Sequence, residues 1–165
     1  PAGSTYTLLE QHTVEHYGCT WGCLIDKTTD EPAWNSPGWV MLEGDPNYYI
    51  TFSLPQDYSA RPGRVNLELS AYVSHGNRDI TAVLMAATGT EVEWLRDTGN
   101  TAADSTWTPQ HVDGRKNVVL IDNSDAHGTG TGFGYSYRSV SFTCRVFVPV
   151  GEGTQLLAER KFMIN

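Results

Sequence analysis

Residues 64–74 of this chain alternate without a break. Val65, Leu67, Leu69, Ala71 and Val73 hold one parity, while Asn66, Glu68, Ser70, Tyr72 and Ser74 hold the other. Successive side chains of a strand point to opposite faces, so this run builds one dry face and one wet face. At the helical period of 3.6 residues the same apolar side chains would scatter around the cylinder. The run therefore predicts a half-buried strand in an antiparallel sheet, and it makes the fold class all-β.

The rest of the sequence agrees with a sheet protein. A length of 165 residues suits one core, so a single domain over residues 1–165 is expected. Sixteen glycines and eight prolines supply the many turns that short strands require. Repeated strand-and-turn signals predict a two-sheet antiparallel sandwich with jelly-roll-like connections.

In order, residues 4–10 read as an edge strand. Residues 39–43 and 47–54 read as a hairpin closed by Gly44, Asp45, Pro46 and Asn47. The nearly continuous apolar run at 80–87 reads as a strand buried on both faces, with a short helix as the alternative. Residues 90–95 place Glu91 and Glu93 on one strand face, and residues 97–105 form the polar loop best suited to mobility. Asp113 and Gly114 signal a hairpin between residues 107–112 and 116–121. Residues 135–150 read as a long strand with Val140, Phe142, Cys144, Val146 and Val148 on its apolar face. Residues 154–164 read as a closing strand, although Leu156, Leu157, Phe162 and Met163 fit neither period.

A net charge of −8 repels phosphate backbones, and no Lys/Arg run offsets it locally, so nucleic acid is not an expected partner. No apolar stretch approaches the roughly 20 residues of a membrane span, and no charged-then-apolar leader is visible. Three cysteines allow at most one intrachain disulfide.

Two stretches carry candidate metal chemistry. His12, His16, Cys19 and Cys23 follow H-x3-H-x2-C-x3-C, four N/S donors of the kind zinc takes in a tetrahedron. The alternative is a Cys19–Cys23 bridge, or two ordinary thiols beside surface histidines. Asp122, Asn123, Asp125 and His127 offer oxygen and imidazole ligands for a hard cation such as calcium, without the EF-hand spacing. The candidate cofactors are thus zinc or calcium.

Trp34, Trp39, Tyr48, Tyr58 and Trp107 lie beside polar loops, as do Asp122, Asn123 and Asp125. An aromatic plane matches the apolar face of a sugar ring, and neutral polar groups bond its hydroxyls. No Gly-x-Ser-x-Gly elbow or His-Glu-x-x-His helix is present, and neighbouring Glu91 and Glu93 read as a solvated acidic face rather than a catalytic pair. The expected function is a non-enzymatic binding or adhesion module that recognises carbohydrate on a surface, placed extracellularly or on a particle and capable of homo-oligomerising. The first alternative is a structural, receptor-binding protein of a virion or filament. The second is a membrane-active sandwich toxin. The segment Phe52-Ser53-Leu54-Pro55-Gln56-Asp57-Tyr58 resembles a loop motif of the sea-anemone pore-formers, and that resemblance implies membrane activity.

Overall fold

The alternating run becomes β6 (Arg64–His75), and its dry parity is the wall of the core. Val65, Leu67, Leu69, Ala71 and Val73 are all buried, each larger one contributing roughly 1.5–3 kcal/mol by leaving water. The structure, a computed structural model, describes residues 5, 12–16, 19–32, 36–43, 47–55, 59–61, 64–76, 78–126, 140–150 and 152–164. The expected edge strand at 4–10 lies almost wholly outside them, as do His127, Trp34 and Tyr58.

The strands before β6 are β1 (Thr13–His16), β2 (Cys19–Cys23), β3 (Trp39–Glu43), β4 (Tyr48–Ser53) and β5 (Ser59–Arg61). After it come β7 (Arg78–Asp79), helix α1 (Thr81–Ala86), β8 (Glu91–Asp97) and helix α2 (Thr101–Asp104). Then follow β9 (Gln110–Val112), β10 (Arg115–Asp122), helix α3 (Asn123–Ala126), β11 (Val140–Val150) and β12 (Gly153–Ile164). The protein is mostly β, and its strand pairings are antiparallel throughout the described residues.

Among the described residues the strands form three sheets, in the orders β1-β2-β3, β4-β6-β10-β9 and β12-β11-β8, with β5 and β7 also paired to β6. The second and third sheets line one buried cluster: Leu67, Leu69 and Ile121 come from one, Phe142, Val146 and Trp94 from the other. Phe52 of β4 meets Trp94 and Phe162 of the third sheet at ring-centroid distances of 6.1 and 5.8 Å. Trp94 Nε1 donates to the Lys116 carbonyl at 3.0 Å, and Arg160 Nη1 to that of Ile50 at 2.8 Å. The first sheet has its own small core of Cys19, Trp21, Cys23 and Trp39.

Several expectations need correction. β3 and β4 are not a hairpin: β3 pairs with β2 and β4 with β6, so the chain changes sheets between them. The apolar run at 80–87 is helix α1 rather than a doubly buried strand. Asp79 Oδ1 accepts from Thr81 N–H at 2.8 Å as the helix begins, and only Thr81 and Leu84 of the helix are buried, leaving Val83 in solvent. The polar loop at 97–105 contains α2, whose first turn is held by Asn100 Oδ1 accepting from Ala103 N–H. The turn at Asp113 and Gly114 has positive φ at both residues (51° and 71°), the type I′ geometry that a right-twisted hairpin favours.

Candidate functional site

The tryptophans nominated for ligand contact face inward where they are described. Trp39 is buried in the first sheet, and its Nε1 donates to the Asp30 carbonyl at 3.0 Å. Trp107 is half-buried, its ring 5.6 Å from that of Phe142, and the Arg96 guanidinium lies 5.7 Å from its centroid. Its Nε1 donates to Asp125 Oδ1 at 2.6 Å. Both rings are thus held in place by packing and by their polar edge.

The acidic segment is a helix start. Asp122 precedes α3, and its Oδ1 accepts from Ser124 N–H at 2.7 Å, Ser124 Oγ–H at 2.6 Å and Asp125 N–H at 3.2 Å. Asp125 Oδ2 reaches back to accept from Asp122 N–H at 3.0 Å. This reciprocal pair is a capping box, which satisfies donors that the first helical turn leaves unbonded. The Ser124 hydroxyl, with the backbone N–H groups, holds the Asp122 carboxyl below its usual range despite some burial. Asn123 Oδ1 accepts from Val65 N–H at 2.5 Å and fastens the turn to β6. The structure therefore brings Trp107, Asp122, Asn123 and Asp125 together: Asp125 bonds both Trp107 and Asp122, while Asn123 ties the turn to β6.

Beside them, Arg96 and Asp104 form an ion pair at 2.9 Å with side chains only 6% and 11% exposed. Arg96 Nη2 also donates to the Ala103 carbonyl at 3.0 Å. Burial pushes the Asp104 pKa up, but N–H and O–H bonds from Thr98 and the pairing with Arg96 outweigh it, and the net shift is downward.

The four nominated zinc donors do not gather. β1 and β2 form a hairpin in which His16 sits opposite Cys19 and Thr13 opposite Gly22. Cys19 and Cys23 are four residues apart on one strand, about 13 Å at 3.3 Å per residue. That exceeds the reach of one tetrahedral ion or of a disulfide. All three cysteines are free thiols. Among the described residues, no group of three or more His, Cys, Asp or Glu side chains is placed to hold a metal ion. Cys23 Sγ–H donates to the Ile25 carbonyl at 3.1 Å. Cys19 Sγ lies 3.7 Å from His75 Nε2, both residues being buried. Tyr48 stacks on the His75 ring at 4.3 Å between centroids and 15° between planes. Burial first, then the electrostatic influence of the neighbouring Cys19, raises the Tyr48 pKa, and burial lowers that of His16.

Two tyrosines not nominated from the sequence are exposed instead. Tyr49 is 48% exposed and Tyr72 is 39% exposed. Tyr49 pairs with Ser74 and Tyr72 with Thr51 across β4 and β6, so both rings share the face turned away from the core. The signal was present, since Tyr72 falls on the wet parity of the alternating run. For β4 the choice between Tyr48 and Tyr49 required the register with β6.

No family model matches this chain, and neither the curated proteins nor the solved structures searched give a match. No described helix is long and apolar enough to cross a membrane.

Proposed function

We propose that this chain is a carbohydrate-binding module without catalytic activity that works at a surface, its second and third sheets forming a sandwich with jelly-roll-type connections. The observation that carries it is the pair of exposed rings, Tyr49 and Tyr72, on one sheet face among the hydroxyls of Thr51, Ser53 and Ser74. Aromatic planes beside neutral hydroxyls match a sugar, which offers an apolar face ringed by hydrogen-bonding groups. A glycan array probed with the labelled protein tests the reading. Binding to a discrete set of sugars is expected, and an array without a single bound sugar would remove it.

A second reading, an assembling component of a virion or filament surface, has its own support in the first sheet. Val40 and Leu42 of β3, with Leu24 just past β2, are exposed there, although the opposite face of the same sheet is already apolar. A sheet apolar on both sides is ordinarily covered on both. Light scattering across a concentration series checks it: assembly weakened by Leu42→Ser is expected, and a persistent monomer would count against it.

A further inference from the structure

Three consecutive cross-strand pairs on the outer face of β4 and β6 carry no charge: Tyr49–Ser74, Thr51–Tyr72 and Ser53–Ser70. Ser70 and its β10 neighbour Val118 are buried, so the open area lies over Tyr49, Thr51, Tyr72 and Ser74, with Ser53 at its margin. The two rings are diagonal neighbours on adjacent strands, about 7–8 Å apart at the backbone. That spacing lets two rings engage adjacent sugar units of one chain. A single terminal sugar is usually held in a concave pocket that buries most of its surface. An open strand face instead offers a platform for an extended polymer.

Charge narrows the ligand further. Around the neutral rows the same face presents Glu68, Asp79 and Asp122, because these pair with Leu120, Ser74 and Asn66 on the outward parity. Glu68 is paired with Arg115 at 3.3 Å, an exposed pair of little strength, while Asp79 and Asp122 accept N–H bonds at the starts of α1 and α3 and keep their negative charge. A uronate or a sulfated sugar would meet repulsion there, reinforced by the net charge of −8.

We infer that the outer face of β4 and β6, centred on Tyr49 and Tyr72, binds an uncharged, flat, β-linked polysaccharide chain. This rests on the carbohydrate reading above and specifies its site and ligand class. Stacking of the rings supplies the attraction, and the Ser and Thr hydroxyls bond the equatorial hydroxyls of the polymer.

The test is retention on insoluble microcrystalline cellulose and on chitin, with a calcium alginate gel as the anionic control. Tyr49→Thr and Tyr72→Thr are suitable variants because threonine keeps strand propensity, and circular dichroism confirms that each remains folded. The wild type should partition onto at least one neutral polymer and not onto alginate. Each single variant should lower the partition coefficient about ten-fold and the double variant should abolish retention, since ten-fold is about 1.4 kcal/mol, within what one aromatic stack contributes. Leu156→Thr, on the exposed face of the third sheet, should change nothing. Unaltered retention of a folded double variant, or a preference for alginate, would overturn the inference while leaving sugar binding elsewhere intact. A wild type that binds neither these polymers nor any sugar on the array would remove both.

Discussion

Arg96 is the residue on which α2, Trp107 and α3 converge. Its guanidinium pairs with Asp104, donates to the Ala103 carbonyl and covers the face of Trp107, whose indole N–H is bonded to Asp125. Removing one member of a buried ion pair leaves the other charge uncompensated, at about 3–5 kcal/mol. Arg96→Ala should therefore lower the unfolding free energy by that order, as read from urea denaturation. Asp125→Ala removes both the indole acceptor and half of the capping box, and about 1–3 kcal/mol is expected from the same measurement. The two carboxyls with lowered pKa also set an acid dependence. Asp104 and Asp122 bind protons less readily in the folded chain than in the unfolded one. Their stabilisation is complete above the ordinary aspartate range near 4 and is lost as pH falls through their lower folded values. Denaturation midpoints should thus drop between about pH 5 and pH 2, and Asp104→Asn should flatten that slope. Sequence alone showed the aspartates at 122 and 125 but suggested a cation. What ties them to a helix turn and an indole is the fold.

Individual strands were the most legible level. The parity of β6 and of β11 is as the alternation requires, and Cys144 falls on the buried side as expected. Burial pushes its thiol up to about 12, so it stays protonated and unreactive. With Cys19 and Cys23 also buried and outside any disulfide, a thiol reagent should find no rapidly reacting group in the folded protein. All three should react after denaturation, whereas a disulfide would leave one. Leu67, at the centre of β6, is fully buried; Leu67→Ala should cost about 2–5 kcal/mol in a denaturant titration. β12 was hard to read for a definite reason. Its register with β11 shifts between Val146 and Phe147, where Ala158 pairs with Val146 but Leu156 with Phe147. The extra residue, Leu157, is a bulge that swaps the faces on either side. No single period can describe a strand interrupted in that way.

Across the whole molecule, cooperativity should be uneven. The second and third sheets share one core, while the β1-β2-β3 sheet buries a separate, smaller cluster. Units with fewer buried contacts open at lower free energy. Hydrogen exchange should therefore protect β6, β10 and β11 longest and release β1, β2 and β3 earlier; uniform protection would contradict the division. The contact of Cys19 with His75, whose ring Tyr48 covers, is one described link between the small sheet and the larger one. The sequence presented Cys19 among nearby potential ligands, and its partner is 56 residues away in the chain.

Alternation of apolar and polar residues determined the all-β class and the inner face of β6 and β11, and the Asp113-Gly114 pair determined its turn, because each follows from neighbours along the backbone. Partner choice did not follow. Whether β4 pairs with β3 or with β6, whether Tyr48 or Tyr49 meets water, and whether an aspartate holds an ion or caps a helix all depend on residues distant in the chain. Those contacts exist only once the sheets have chosen their order, and tertiary structure alone makes that choice.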